Sequence, residues 1–264
     1  MPPRNPISNP WQTVDSIPSL PEGELHIWRV DLPVAPALLT ICQSLLSPEE
    51  ATRAERRRQP QARRLFITGR GVLRQLLAAV TGLDPRELAI IAASGGKPEL
   101  PGSGIAFNVA HSGDTILIAV SRSGQLGVDV EHIDPTRPFD EVAQHSCTPG
   151  ESLELFALND MDERRQAFYR LWTRKEAVAK ADGRGLALPF NSFALPLSAA
   201  SSTPVKIAQP VGPAKTFSVT DLPLEPGLAG AIALDATIKR TKLLVFPRHE
   251  LPSPLPPAYK MELG

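Results

Sequence analysis

Proline is the feature that most limits what this chain can fold into. The sequence has 28 prolines among 264 residues, about twice the ~5% of an average protein. Eight of them lie in the first 36 residues and five lie between Pro247 and Pro257. Since proline fixes φ and lacks an amide hydrogen, helix interiors and central strands exclude it. We therefore predict an extended N-terminal extension over residues 1–23, a proline-rich tail over 241–264, and a folded region between them. A proline-rich binding motif in LPSPLPPAY is the alternative to a plain tail.

Length, charge and cysteine content restrict the class of protein. A chain of 264 residues makes one large domain or two small ones. The 28 basic and 28 acidic residues cancel, which argues against binding nucleic acid or anionic membrane along the whole chain. The two cysteines, Cys42 and Cys147, are too few for a disulfide framework or a thiolate zinc cluster. No apolar run approaches 18 residues and the first residues lack an apolar signal region, so we expect a cytoplasmic protein.

Two series of helices and strands follow each other along the chain. The first is predicted to comprise 24–32 (strand), 47–58 and 63–80 (helices), and 87–93, 105–112 and 115–121 (strands). The second comprises 126–133 (strand), 148–158 and 161–183 (helices), and 191–197, 216–222 and 228–236 (strands). Period-2 and period-3.6 apolar patterns and cap residues carry these assignments. They predict an α+β protein of two similar-sized halves, 24–122 and 123–240, that meet near residues 122–125.

Asp129 and Glu131 are the first candidate site residues. They occupy positions i and i+2 of the strand LGVDVEHI, so both side chains leave one face while Val128 and Val130 take the other, buried face. Two neighbouring carboxylates repel each other unless a cation lies between them, and an oxygen-only pair suits Mg²⁺ better than zinc. The solvated face of an amphipathic strand is the alternative interpretation.

Trp172, Glu176 and Lys180 form the second candidate group. Their spacing of i, i+4 and i+8 places them on one stripe of the helix 161–183. An ordinary surface ion pair between Glu176 and Lys180, worth about 0.3–0.5 kcal/mol, is the alternative. Trp172 and Ala179 flank the pair, which predicts a half-buried stripe and so favours a functional role. We expect Trp172 itself to pack and orient the helix.

Two shorter segments could contact a ligand. His111 ends the strand FNVAHS beside a glycine turn, which predicts an exposed imidazole. In the GGKP segment, residues 95–98, Gly95 and Gly96 allow close backbone approach and Lys97 can supply a point charge to phosphate. A structural histidine and an ordinary surface turn are the alternatives. Neither a GxSxG nucleophile elbow nor a P-loop occurs in the sequence.

Arginine is concentrated in one part of the otherwise neutral chain. A local basic patch of this kind is a reasonable anion site, because the guanidinium fork matches phosphate. Solvated helix charges and an RNA-binding helix are the alternatives, although no known RNA-binding motif supports the second. The residues are Arg53, Arg56, Arg57, Arg58, Arg63, Arg64, Arg70 and Arg74.

Together these segments resemble the 4′-phosphopantetheinyl transferases of the surfactin type. LGVDVEHI is similar to the family's Gly-(Ile/Val)-Asp-x-Glu motif. FYRLWTRKEAVAKADGRGL is similar, nearly letter for letter, to its Trp-(Ser/Thr)-x-Lys-Glu-Ala-x-x-Lys-x-x-Gly-x-Gly motif. GGKP and FNVAHSG are similar to its Gly-Lys-Pro and Phe-Asn-x-Ser-His-Ser segments. The resemblance spans roughly residues 24–235.

The resemblance implies both a fold and a reaction. The fold is a monomeric pseudodimer of two α+β halves with coenzyme A in the cleft between them. The reaction is transfer of 4′-phosphopantetheine from coenzyme A to a serine of an apo acyl or peptidyl carrier protein, with release of adenosine 3′,5′-bisphosphate. The carriers would serve fatty-acid, polyketide or peptide synthesis.

The resemblance also implies roles for the candidate residues. Asp129, Glu131 and Glu176 would hold Mg²⁺ or Mn²⁺. Glu176, directly or through a water on the metal, would be the general base, and Lys180 would aid the leaving phosphate. The implied coenzyme contacts are Arg53, Arg64, Gly96, Lys97, Pro98, His111 and Lys180, of which Arg53, Arg64 and His111 would meet the 3′-phosphate.

One position departs from the family pattern. Ala110 stands where the family usually has a serine before the histidine, so one hydroxyl contact to phosphate is lost. A non-catalytic carrier-protein or nucleotide-binding protein is the alternative function, and it would not need all three acids. The trimeric holo-carrier synthases share the reaction but have much shorter chains, so a pseudodimer is preferred.

Overall fold

The computed structural model describes residues 10–93, 96–198 and 202–248. Its helices are α1 (Pro36–Ser44), α2 (Pro48–Glu55), α3 (Pro60–Thr81), α4 (Asp140–Ser146), α5 (Pro149–Ala157) and α6 (Met161–Asp182). Its strands are β1 (Gln12–Thr13), β2 (Glu24–Asp31), β3 (Ile91–Ala92), β4 (Pro98–Glu99), β5 (Ala106–Ser112), β6 (Thr115–Ser121), β7 (Leu126–His132), β8 (Thr203–Ile207), β9 (Lys215–Asp221), β10 (Leu228–Leu234) and β11 (Arg240–Val245). The predicted α+β class is confirmed. None of the helices in these ranges is long and apolar enough to cross a membrane.

Two sheets form the centre of the molecule. The first has the strand order β1-β11-β2-β6-β5 and the second the order β7-β10-β9-β8. Side chains alternate between the faces of each strand, so Trp28 of β2 packs under α1–α3 while Ile27 packs against the second sheet. In the second sheet, Val128 faces the first sheet and Ala231 lies in the core under α6. The order of layers is therefore helices, sheet, sheet, helices.

The two halves repeat each other with a constant offset of 101 residues. Helix α3 begins at residue 60 and ends at 81, and α6 begins at 161 and ends at 182. Both end on a glycine in the left-handed conformation, Gly82 with φ 75° and Gly183 with φ 92°, which spares them the steric cost of a Cβ. Helices α2 and α5 start from capping boxes at Ser47 and Thr148, each followed by proline. Equal spacing of caps, helices and stops indicates a duplicated unit.

A buried ion pair anchors the long helix in each half. In the first half, Arg74 of α3 donates to Glu50 at 2.7 Å. In the second, Lys175 of α6 lies 2.9 Å from Glu151. Each glutamate is also the third residue of its capping box, so one carboxylate closes the short helix and binds the long one. The two pairs obey the same 101-residue offset.

The segment 191–197 was predicted as a strand, and this prediction is wrong. Residues Phe190–Ser192 form a 3-10 turn, and side chains from the helices satisfy the backbone that follows. Lys175 donates to the carbonyls of Phe190 at 2.7 Å and Phe193 at 2.8 Å, and Leu195 donates its amide to Glu151. Backbone groups that are already paired in this way have no need of a strand ladder.

The chain ends also differ from the prediction. Trp11 is buried and its Nε1 donates to the carbonyl of Pro223 at 2.6 Å, so part of the predicted extension packs on the second half. Strand β11 lies in the range predicted as tail, yet it pairs in parallel with β2 inside the first sheet. The conformation of these segments depends on contacts with distant parts of the chain, namely the pairing of β11 with β2 and the burial of Trp11. Proline content indicates only the local backbone preference. The motif LPSPLPPAY and residues 1–9 lie outside the described residues.

We expect Lys175→Met to destabilise the fold. Burial lowers the pKa of Lys175, and the charge of Glu151 opposes that shift. Removing one partner of a buried pair typically costs about 3–5 kcal/mol, because the other charge is left uncompensated. Urea unfolding at pH 7 measures this loss. The double variant Lys175→Met with Glu151→Gln should recover part of the lost stability. Lys206→Met is the control, because Lys206 is exposed on β8, and it should change the unfolding free energy by less than about 0.5 kcal/mol. A loss below about 1 kcal/mol in Lys175→Met would contradict the anchoring role.

Candidate active site

The predicted acids lie at a seam between the two sheets. Strand β7 is the edge of the second sheet and β5 is the edge of the first. Side chains, rather than a backbone ladder, join them: Asn108 accepts from the amide of Val128 at 3.0 Å, and Ser112 donates to Glu131 at 2.8 Å. Any group held by β7 therefore lies next to the end of β5.

Asp129 is the most buried of the acids. Its carboxylate is 6% exposed, and Oδ1 accepts from Nζ of Lys180 at 2.6 Å. Its other oxygen, Oδ2, is buried and has no hydrogen-bond partner among the described residues. Burial raises the pKa of Asp129 to about 7 against the opposing charge of Lys180. The predicted face of β7 is confirmed, since Val128 and Val130 pack on the opposite side.

Glu131 and Glu176 complete a group of three carboxylates. Their charges raise the pKa of Asp129 further, which shows that the three share one electrostatic environment. Desolvation raises the pKa of Glu176, Lys180 lowers it, and Glu131 raises it again. Across the described ranges, no three His, Cys, Asp or Glu side chains are gathered closely enough to hold a metal ion. Carboxylates repel one another when they are ionised, and Oδ1 of Asp129 is bonded to Lys180.

Gly127 controls how closely β7 approaches α6. A Cβ at this position would lie 2.8 Å from the carbonyl carbon of Lys180 and would collide with the carbonyl oxygen of Ala177 and the amide nitrogen of Ala181. The strand and the helix are therefore in direct backbone contact. This contact brings Asp129 within reach of Lys180, although the two are 51 positions apart in the chain.

His111 links the seam to the arginine segment. The residue is exposed, which confirms the predicted exposed imidazole. Desolvation, followed by the positive charges of Lys180 and Arg57, lowers the pKa of His111. Arg57 lies 4.5 Å from the ring centroid of Phe66, and Arg53 and Arg70 contact the same ring at 5.5 and 5.8 Å. Three guanidinium groups thus surround the ring of Phe66, and the charge of one of them, Arg57, acts on His111.

The GGKP segment approaches the start of β7. Nζ of Lys97 donates to the carbonyl of Leu126 at 2.8 Å, and desolvation lowers the pKa of this lysine. Gly96 has a φ of 78°, a conformation that glycine adopts without steric cost. A cavity of about 310 Å³ opens here, with Lys97, Pro98 and Phe107 in its lining.

The sequence singled out three further residues, Arg64, Trp172 and Ala110. Arg64 is exposed on α3. Trp172 packs on the core, 6.1 Å from the ring of Phe168 and 5.4 Å from that of Phe190, which confirms its predicted packing role. Ala110 is buried between the two sheets, so its side chain does not face the cleft.

Sequence reasoning gave no individual role to two residues that interact with the candidate site residues in the structure. Arg57 was one of eight arginines with no local signal to separate it from the others. Ser112 follows His111 directly, and a small polar residue at the end of a strand next to a candidate ligand contact could have pointed to it. Both were missed because their neighbours come from distant parts of the chain.

Comparison with known proteins gives a consistent result. The family model of the 4′-phosphopantetheinyl transferase superfamily, ACPS, matches residues 125–232. This span contains β7 and α6, and therefore all three acids. The 4′-phosphopantetheinyl transferase HetI of Nostoc sp. is 36% identical over 173 residues, which are 64% of this chain and 73% of the relative.

Two further relatives carry the same enzyme name. The 4′-phosphopantetheinyl transferase Sfp of Bacillus subtilis is 29% identical over 193 residues, 72% of this chain and 82% of the relative. The 4′-phosphopantetheinyl transferase AcpT of Escherichia coli is 34% identical over 131 residues, 48% of this chain and 63% of the relative.

We expect Gly127→Ala to disturb the contact between β7 and α6. The added methyl group has no room, and overpacking of this kind costs about 1–3 kcal/mol. Gly150→Ala is the matched control, because a Cβ there meets nothing within 4 Å and α5 gains a better helix former. Urea unfolding of both variants measures the difference. Equal stability of the two variants would contradict the tight contact.

Proposed function

We propose that this protein moves phosphopantetheine from coenzyme A to a serine of an apo carrier protein. The chain belongs to the 4′-phosphopantetheinyl transferase superfamily and is such an enzyme. The observation that carries this proposal is Asp129, which is buried beside Lys180 with one oxygen unpartnered. Glu131 and Glu176 share its surroundings. The non-catalytic alternative is not retained, since such a binder would need no group of three acids.

The donor chemistry of these residues suits a hard divalent cation, although the three described side chains are not gathered closely enough around one point to hold it as they stand. The donors are carboxylate oxygens only, which suits Mg²⁺ or Mn²⁺. A buried carboxylate oxygen without a hydrogen-bond partner is costly unless another group takes that place, and Oδ2 of Asp129 is such an atom. We infer that Asp129, Glu131 and Glu176 hold this cation. When bound, it would neutralise the negative charge that develops on the pyrophosphate.

The proposed reaction is a phosphoryl-group displacement. The carrier's serine oxygen attacks the β-phosphorus of coenzyme A, and the bond from that phosphorus to the oxygen bridging it to the α-phosphorus breaks. The bond's electron pair leaves with adenosine 3′,5′-bisphosphate, and the serine proton passes to Glu176. The raised pKa of Glu176 suits a general base, because basicity is best matched near the working pH. Lys180 offers its ammonium group to the leaving phosphate.

The coenzyme's nucleotide is proposed to lie along the first half. The cavity beside Lys97, with Gly96 and Pro98 next to it, would receive it. The 3′-phosphate would meet His111 and the arginines. Arg53 and Arg64 were the arginines inferred from the resemblance. The charge of Arg57 lowers the pKa of His111, which supports adding Arg57 to this group.

The proposed site needs both halves of one chain. The acids come from β7 and α6, whereas His111 and Lys97 come from the first half. A single chain can therefore carry a complete site, which supports a monomer as the working unit. The proposed partners are apo acyl or peptidyl carrier proteins.

The central prediction is that Glu176→Gln abolishes most turnover. The change keeps the side-chain volume but removes the charge and the basicity, and losses of a general base run to about 10²–10⁴-fold. Lys180→Met should also lower turnover, since its ammonium group is lost while the stem still packs. The assay incubates enzyme, coenzyme A and Mg²⁺ with a panel of apo carrier proteins and reads the mass gained by each carrier.

Two controls accompany that assay. Glu163→Gln, exposed on the first turn of the same helix, should keep wild-type turnover. Exhaustive chelation should stop the wild-type reaction, and Mg²⁺ or Mn²⁺ should restore it. Near-wild-type turnover in Glu176→Gln would refute the proposed base, and full activity after chelation would refute the metal site.

A further prediction concerns the 3′-phosphate of coenzyme A. Charge-assisted contacts are worth roughly 1.5–3 kcal/mol, so dephospho-coenzyme A should bind wild type about tenfold to a hundredfold more weakly. This penalty should shrink in His111→Ala and in Arg57→Ala, because the charge of Arg57 acts on His111, and shrink less in Arg64→Ala, whose charge is not among those that shift the pKa of His111. His145→Ala, an exposed histidine on α4, should keep the full penalty. Calorimetry measures both ligands, and an unchanged penalty in His111→Ala would show that this ring does not face the phosphate.

A further inference from the structure

We infer that Ser112 is a positioning residue for Glu131, so that the first half of the chain holds a metal-binding carboxylate of the second half in place. The inference rests on the proposed function, since it concerns how tightly the acids bind Mg²⁺ or Mn²⁺. It arises from the contacts at the end of β5.

The hydroxyl of Ser112 makes two hydrogen bonds with different roles. It accepts from the backbone amide of His132 at 3.0 Å and donates to Oε2 of Glu131 at 2.8 Å. An amide can only donate, so it takes a lone pair of the hydroxyl oxygen and leaves the hydroxyl hydrogen for the carboxylate. The direction of the bond to Glu131 is therefore set by the backbone of β7 itself. One carboxylate oxygen is held, and the other is left for a ligand.

The turn after Ser112 supports the same end of β7. A Cβ on Gly113 would lie 2.6 Å from Cδ2 of His132, and Gly113 has a φ of 55°. Only a residue without a side chain leaves room for the His132 ring against this turn. The position of Glu131 is thus held on two sides. Its carboxylate accepts a hydrogen bond from Ser112, and the next residue, His132, packs on Gly113.

Repulsion between the acids explains why such support is needed. Asp129, Glu131 and Glu176 raise one another's energy when all are ionised. Asp129 is steadied by Lys180 at 2.6 Å, whereas Glu131 lies near the end of an edge strand and is only half-buried. Ordering a long side chain when a cation binds costs conformational entropy, and a contact that orders it beforehand removes part of that cost.

A purely structural role would give a different result. Asn108 also joins β5 to β7, through the amide of Val128 at 3.0 Å, and among the described residues its side chain makes no hydrogen bond to the three carboxylates. If Ser112 only joined the strands, its loss would lower stability as the loss of any other seam contact does. The Mn²⁺ affinity of Ser112→Ala would then fall only as far as the fraction of folded protein falls.

The experiment is a calorimetric titration of Mn²⁺ into enzyme with bound coenzyme A. Groups that support metal ligands typically change affinity by about 10–100-fold when removed, so Ser112→Ala should weaken Mn²⁺ by that factor. Ser112→Thr keeps the hydroxyl on a residue that strands favour and should stay within about threefold of wild type. Ser121→Ala, which removes a buried hydroxyl bonded to the carbonyl of Glu24 in the same sheet, is the matched control and should bind Mn²⁺ as wild type does.

Repeating the titration in a second background distinguishes a specific effect on Glu131 from a general loss of structure. In a Glu131→Gln background, adding Ser112→Ala should weaken Mn²⁺ no further, because the group being positioned has already lost its charge. Wild-type affinity in Ser112→Ala, or an equal loss in both backgrounds, would overturn the inference. If wild type binds no Mn²⁺ and modifies no carrier, the proposed function fails instead, and the two failures are therefore distinguishable.

Discussion

The contact between the backbones of β7 and α6 is the constraint on which the site depends. Gly127 allows it, since any side chain there would push the helix away from the strand. With the helix at this distance, Lys180 reaches Asp129, and Glu176 one turn earlier shares its surroundings. The buried pair of Lys175 and Glu151 then fixes the same helix on its other side. Stability and site geometry thus come from different faces of one helix.

The repeat of 101 residues shows how one unit can serve two purposes. Applying that offset to Asp129, Glu131 and Glu176 leads to Trp28, Val30 and Gln75 in the first half. Trp28 and Val30 are buried in the core under α1–α3. The first half therefore uses for packing the strand positions that the second half uses for carboxylates. Its share of the site comes from a different place, the end of β5 and the loop before it.

Sequence patterns were reliable where structure is local. The capping boxes at Ser47 and Thr148, the glycine stops at 82 and 183, and the alternation in β7 predicted α2, α5, α6 and the faces of β7. Spacing alone also puts Glu176 and Lys180 on one stripe of a helix, and the charge of Lys180 does act on Glu176 in the structure.

Elements that depend on distant partners escaped prediction. Nothing near residue 240 shows that β11 pairs with β2, more than 200 positions earlier. Residues 191–197 alternate as a strand would, yet the side chains of Lys175 and Glu151 take their backbone groups. Arg57 and Ser112 escaped attention for the same reason. Each interacts with residues of other elements, and its own segment gives no sign of that.

The place of β11 in the first sheet has a consequence for synthesis on the ribosome. It lies between β1 and β2, so the sheet stays incomplete until residue 245 has left the exit tunnel, long after β2, β5 and β6 have emerged. During that interval β2 presents one open edge, which is a template for pairing with other chains. The first sheet can therefore be completed only after the second half has been synthesised. A fragment that ends between the halves would leave the edge of β2 unpaired.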